Sequence, residues 1–342
     1  MVKQSSRSQA TLAIVVATGL IVDHVSSWEV VTIPRPSRPS YFDDPPTNCP
    51  HTQGGLTDWD TLFADAVAGD DIVLPDDTQV IIRNTVAEVL GLITIPATSE
   101  LIFDEDTALD AAGMLVYGTL TIGAETCPME ASVTITLHGT RPADAVTNVP
   151  SPEVKGISVS GGTLELHGKR YFQTWTRLAT TANAGDGTVY LQEEVDWEAG
   201  QEIVVVTSAM KDSKEWHQNE VHTIASVNCD TPAEGACEVT LEDTLAYEHK
   251  GITAYQVEVG LLSRSILIQG AAADSEHTDP DPLTCTGVSI YSNDGAPCPD
   301  KDLTGYGGHI MIHSDGVGHV EGVELYRKEI KTIESSSCLW FC

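Results

Sequence analysis

Residues 114–139 read MLVYGTLTIGAETCPMEASVTITLHG. Apolar residues alternate at Leu115 and Tyr117, at Leu120 and Ile122, and at Val133, Ile135 and Leu137, while Gly113, Gly118, Gly123 and Gly139 separate the runs. A period of two places one set of side chains on a buried face, and a glycine at each break lets the backbone turn where a β-carbon would clash. The stretch therefore predicts short strands joined by tight corners.

The pattern repeats on both sides. GGTLELHG at 161–168 alternates Leu164 and Leu166 and closes on a His-Gly pair, and LGLITIPATSELIFDEDTAL at 90–109 uses Leu92 with Thr94 and Leu101 with Phe103 in the same role. Strand-turn units recurring at roughly 20 to 25 residues predict the stacked coils of a solenoid, with a β-sandwich as the alternative. The predicted fold class is all-β: a right-handed parallel β-helix, or solenoid, with one short N-terminal capping helix and a small β insertion. DWDTLFADAVAG at 58–69 supplies the helix, with Asp58 as its cap, Gly69 at its end, and Trp59, Leu62, Phe63 and Ala66 on one face. The insertion falls at 188–208, where an acidic turn separates two strands in a hairpin-like or barrel-like unit.

Composition bounds the function. The chain has 342 residues with 50 acidic and 18 basic side chains, a net charge of −32. Such a surface repels polyphosphates and anionic lipid, which excludes general nucleic-acid binding. Lys3 and Arg7 followed by an apolar run over 10–22 and by Ser26 and Ser27 read as a secretory signal; the run is shorter than the ~20 residues of a spanning helix, with a signal-anchor as the alternative. No later stretch is long and apolar enough to span a membrane. Location is then secreted or on the outer cell face. The eight cysteines suit that oxidising route. Proximity pairs Cys229 with Cys237 and Cys285 with Cys298, and Cys49 can reach Cys127, out of the 105 pairings that eight cysteines allow and with metal ligation as the alternative.

The chain divides into a signal peptide (1–27), a Pro-rich leader (28–57) without core residues, a glycine-punctuated β domain (58–169), a β-helix region with the insertion (170–327) and an atypical tail (328–342). GDDIVLP at 69–75, MLVYGTLTIGAE, ITLHG at 135–139 and GGTLELHG together resemble the eight-glycine ("G-eight") domain. Downstream, Trp175-Thr176-Arg177-Leu178, VDWEAGQEIVV, Tyr247-Glu248-His249-Lys250-Gly251, VEVGLLSRSILIQG and GGHIMIH resemble the β-helix region that follows this domain in fibrocystin-like receptors and in the cell-migration-inducing hyaluronidase group. The resemblance implies an extracellular right-handed β-helix and, in one branch, hyaluronan depolymerisation. Two departures weigh on that activity. The domain that separates the two regions in the vertebrate hyaluronidases is absent, and KEIKTIESSSCLWFC replaces the continuing helix, as in a truncated receptor fragment.

His309, His313, Asp315 and His319 form the densest set of acid/base or ligand groups, and in a strand His309 and His313 share a face. The plain structural alternative is a solvated or hydrogen-bonded outer rung. Arg170, Arg177 and Arg264 are candidates for an anionic ligand, against salt-bridged rungs. Asp104, Asp106 and Asp110 are the candidate calcium ligands, against a solvated acidic turn; no other cofactor is expected. The leading function is a binding module for extracellular glycans or protein partners, with a hyaluronidase-type glycoside hydrolase and a receptor fragment as alternatives.

Overall fold

The computed structural model describes residues 38–42, 44–140, 154–209, 218–275 and 307–326. The expected signal peptide, the tail and the Cys285–Cys298 pair lie outside them. Two parallel sheets are fed alternately by the chain. Thr57–Asp58, Gln79–Ile82, Glu100–Phe103, Thr119–Ile122, Thr163–His167 and Val317–Glu321 form the first; Ile72–Val73, Val89–Ile95, Thr107–Val116, Val133–Leu137, Ile266–Gly270 and Val323–Tyr326 form the path of the second. Gly156–Val159 joins the second sheet beside Thr107–Val116, and His309–Ile312 pairs with it. The protein is thus all-β and β-helix-like.

In-register stacking lines up the buried positions. Val80, Leu101, Leu120 and Leu164 form one inward column and Ile82, Phe103, Ile122 and Leu166 the next, each at most 1% exposed. Each such side chain contributes about 1.5–3 kcal/mol by leaving water. In two strands the inward set is offset by one from the alternation read in the sequence. Ile93 and Ile95 are buried rather than Leu92 and Thr94, and Met114 and Val116 rather than Leu115 and Tyr117. In residues 92–95 the polar Thr94 between two isoleucines already marks Ile93 and Ile95 as the inward pair, whereas residues 114–117 are apolar throughout and polarity does not select their face. A break at Gly113–Met114 does: residues before it pair with Val133–Leu137 and residues after it with Gly156–Val159.

The expected helix over 58–69 is a single turn, Trp59–Leu62. Asp58 makes no capping bond because its carboxylate is paired with Arg83, and Phe63 leaves helical geometry at φ −125°. Trp59 still packs on Phe63, 4.6 Å between ring centres, over the end of the core.

The Pro-rich segment is a strap. Ile81 and Ile102 lie on the outward face of the first sheet, outside the main core cluster, yet are 1% and 0% exposed. Pro50–Thr52 packs against Glu100–Phe103, Gln79 donates to Gln53, and the Cys49–Cys127 disulfide fastens the segment.

Between Gly168 and Ile266 the chain leaves the stack and builds a second body. Trp175–Arg177, Glu258–Leu261, Glu202–Val205, Glu220–Asn228, Cys237–Leu241 and Thr188–Leu191 pair in that order, antiparallel. Bonds from Ala179 N to Tyr190 O and from Gln192 N to Arg177 O join the first strand to the last, closing a six-stranded barrel with its own apolar core. Cys229 and Cys237 are disulfide-bonded across one hairpin. Ile266–Gly270 then pairs with Val133–Leu137, so the stacking order is not the chain order.

One buried carboxylate organises the barrel's loops. Glu220, its side chain 9% exposed, accepts bonds from Ala246 N at 2.7 Å and Tyr247 N at 2.8 Å. Its oxygens also face His249 Nε2 at 2.8 Å and His222 Nε2 at 3.2 Å. Burial pushes its pKa up, but these bonds outweigh burial and hold it below the usual value. Glu220→Gln aims an amide NH2 at donors, and the expected loss is about 2–4 kcal/mol at pH 7. A depressed pKa adds stability above the unfolded value of about 4.3, and that stability is lost as pH falls through the folded value. Urea unfolding of both proteins is therefore expected to show a wide gap at pH 7 that narrows as the pH is lowered below about 4.3.

Candidate functional site

A groove of about 1480 Å³ runs beside the strap. Phe42, Pro45 and Pro50 of the strap form one wall, Pro128 and Ala131 the apolar floor above the buried Phe103 and Met129, and Asp196 and Glu198 of the barrel reach in from the far side. Cross-links hold the walls. Arg38 donates to Asp196 at 2.8 Å, Thr47 N donates to Thr126 O at 2.8 Å, and the Cys49–Cys127 disulfide lines the groove.

The cations of the groove are engaged by carboxylates. Lys169 Nζ lies 2.8 Å from Glu198 and 3.5 Å from Glu130; burial lowers its pKa, but Glu198 and its neighbours outweigh that and hold it raised. Tyr171 donates to Glu198 at 3.2 Å, and burial together with that carboxylate pushes its pKa up to about 12. Arg170 lies 3.2 Å from Glu321 and donates to Glu125 O at 2.9 Å. Asp44, Glu105 and Glu125 carry no ion pair with another described residue, so the groove keeps an acidic excess over its apolar floor.

At the rim a charged ladder crosses the last two rungs of the first sheet. His167 Nδ1 stands 3.9 Å from Glu321, His167 Nε2 stands 2.9 Å from Glu165, and His319 Nδ1 stands 2.8 Å from the other oxygen of Glu165. Burial raises the pKa of Glu165, but the two imidazoles outweigh it and the net shift is downward. Among the described residues no group of three or more His, Cys, Asp or Glu side chains is placed to hold a metal.

The sequence candidates are dispersed over these features. Arg170 lines the groove and His319 joins the ladder. His309 lies on the strand that pairs with Gly156–Val159, His313 Nε2 stands 3.0 Å from Ser158 Oγ, and Asp315 lies in an exposed turn. Arg177 is on the barrel's outer face, 3.9 Å from Glu258. Arg264 donates to Leu261 O and Ser263 O; burial lowers its pKa against the opposing pull of Glu324. Asp104 pairs with Arg83 and His51, Asp106 accepts from Ser132 N, and Asp110 stands 3.6 Å from His138. Glu165 and His167 are candidate-site residues beyond the sequence candidates, and the alternation of GGTLELHG already turns both outward. Glu125, Glu130 and Glu198 carry no local signal; the Cys127 turn and the barrel bring them to the groove.

These features define an all-β protein of stacked parallel strands with an inserted barrel and a disulfide-fastened groove. Residues 59–179 match the model of the G8 domain, so the chain carries a G8 domain. It is similar to a G8 domain-containing protein of Dictyostelium discoideum, 33% identical over 90% of this chain and 19% of the relative. It is also similar to fibrocystin-L of Mus musculus, 34% identical over 72% of this chain and 6% of that protein, and to fibrocystin-L of Homo sapiens, 38% identical over 56% of this chain and 5% of that protein. The chain thus spans only a small part of the relatives it matches. Among the described residues no helix is long and apolar enough to cross a membrane.

Proposed function

We propose that the chain is an extracellular, non-catalytic binding module, a right-handed β-helix whose groove takes an extended basic segment of a protein partner. The groove carries this reading: its volume of about 1480 Å³ exceeds the roughly 300–1,000 Å³ of small-molecule sites. Its apolar floor suits side-chain stems, and Asp44, Glu105 and Glu125 suit Lys or Arg heads. Two disulfides fit an oxidising compartment and support the secretory route. The same charge repels hyaluronan.

Hydrolysis is the weaker reading on chemical grounds. A glycosidase needs one carboxyl with a raised pKa to protonate the leaving oxygen. Glu165, at the rim, is shifted the other way, and Glu324, which burial does raise, sits beside Arg264 and does not line the groove.

The test is calorimetric titration with a Lys/Arg-rich dodecapeptide, an acidic dodecapeptide and hyaluronan. Only the basic peptide is expected to bind. Reversal of two groove charges, Asp44→Lys with Glu125→Lys, is expected to weaken it about tenfold or more, while reversal of two exposed acids outside the groove, Asp76→Lys with Glu88→Lys, has little effect. Equal losses in both variants would mean diffuse attraction to a −32 chain and would remove the groove as the site.

A further inference from the structure

The outer face of the barrel carries a feature that its fold does not require. In a closed antiparallel barrel the inward positions are apolar and the outward ones face water. The inward set obeys at Ile203, Val205, Ile224 and Val259, all fully buried, with Thr176 a buried polar exception. The outward set breaks the rule along one row. Trp175 is opposite Gly260, Gly260 opposite Val204, and Val204 opposite Val221. Trp175 and Val221 are each 54% exposed. Four neighbouring strands thus present an apolar stripe about 14 Å long, one residue wide.

Gly260 explains the shape of the stripe. Its φ is not in the left-handed region, and a β-carbon there meets only Val204 Cγ1, at 3.5 Å. Neither backbone nor packing asks for a glycine, and glycine weakens a strand. Its effect is to leave a gap beside the Trp175 indole. Polar groups flank the row on both sides. Arg177 and Glu258, loosely paired at 3.9 Å and 42% and 54% exposed, lie two residues along one side; Glu202 and Thr223 lie along the other.

We propose that this stripe is a binding platform for a neutral pyranose polymer. The C–H face of a sugar ring packs on the indole and over the gap at Gly260, and the hydroxyls at the ring edge meet Arg177, Glu258 and Glu202. An exposed tryptophan offers a large rigid apolar surface at low entropic cost. The carboxylates on both flanks and the net charge of −32 repel polyanionic glycans, which leaves neutral ones. The exposed apolar area, on the order of 200–300 Å², is well below the ~800 Å² per partner of a stable protein interface. The site is separate from the groove and does not depend on the reading of it.

The experiment uses the full chain and calorimetric titration with neutral hexasaccharides of β-1,4-linked glucose, mannose and N-acetylglucosamine, with hyaluronan as the anionic control. At least one neutral hexasaccharide is expected to bind, and Trp175→Ala to weaken it about tenfold or more. Gly260→Val separates recognition from folding. It fills the gap with a strand-favouring side chain, so melting is expected at or above the wild-type temperature while binding falls as in Trp175→Ala. Asp44→Lys with Glu125→Lys leaves this binding unchanged. Failure of all three hexasaccharides, wild-type binding by both stripe variants, or a wild-type dimer abolished by Trp175→Ala would each overturn the proposal.

Discussion

Gly118→Ala and Gly162→Ala are each expected to cost about 3 kcal/mol or more, a large fraction of a domain's stability. At Gly118 an added β-carbon falls on the carbonyl oxygens of Pro96 and Ser99. Those oxygens are not free to move, because Pro96 O accepts from Ser99 N at 2.9 Å and Ser99 O accepts from Thr119 N at 3.0 Å. One coil further on, the β-carbon of a substituted Gly162 meets the carbonyl oxygen of Gly118 itself and lies 2.7 Å from Val116 O. Thr163 N donates to that same Gly118 oxygen at 2.8 Å. Glycine stacks on glycine at this corner, where adjacent coils are about 4.8 Å apart, and a methyl group can fit only by parting the coils. Gly187, where a β-carbon meets nothing nearer than Thr244 Cγ2 at 3.8 Å, is the control and is expected to tolerate alanine. Guanidinium unfolding of the three variants reads the difference. Midpoints of Gly118→Ala and Gly162→Ala equal to that of Gly187→Ala would show that the coils yield and that the glycines serve something other than close approach.

Glycine and alternation are the features that made the fold readable. Leu164 and Leu166, or Val133, Ile135 and Leu137, each sit between polar neighbours, and each was assigned the correct face. Leu92 with Thr94 were not, although the polar Thr94 between Ile93 and Ile95 marks the opposite parity, and Leu115 with Tyr117 were not because apolar side chains stand on both faces there and the decision passes to a partner strand. The helix shrank for a related reason. Asp58 has the right chemistry for a cap but finds Arg83 first, and no local pattern announces an ion pair made between successive coils.

The site was less legible because its parts are distant in the chain. His319 and Glu165 meet only because the barrel is looped out between Gly168 and Ile266, which lets Val317–Glu321 stack directly on Thr163–His167. Distance along the chain hid the partner, while the outward facing of Glu165 and His167 followed from parity alone. Trp175 stands in a local sequence motif and Arg177 is a plain cation, but their place beside Gly260 follows only from the register of Glu258–Leu261.

The strap gives the second large effect. Replacing Cys49 and Cys127 together by serine removes a link that spans 78 residues. In the chain-entropy account this relaxes the unfolded state by about 4.5 kcal/mol, against about 2.5 kcal/mol for a short loop such as that closed by Cys229 and Cys237. The native state also changes in a way the hairpin disulfide cannot match. Ile81 and Ile102 are covered on the outward face by the strap, and uncovering them costs about 1.5–3 kcal/mol each. Losing the strap also removes Phe42, Pro45 and Pro50 from the groove and releases the Arg38–Asp196 bond to the barrel. The double serine variant is therefore expected to unfold at clearly lower denaturant than the Cys229→Ser, Cys237→Ser pair. Below its midpoint it is expected to exchange amide hydrogens faster over 44–53 than wild type does, with Thr188–Leu191 of the barrel unchanged. It is further expected to lose the basic peptide while keeping the neutral hexasaccharide, since only the groove is built from the strap. Simultaneous loss of both ligands would mean that the barrel depends on the strap for its own fold, and unchanged exchange over 44–53 would mean that packing on Ile81 and Ile102 holds the strap without its disulfide.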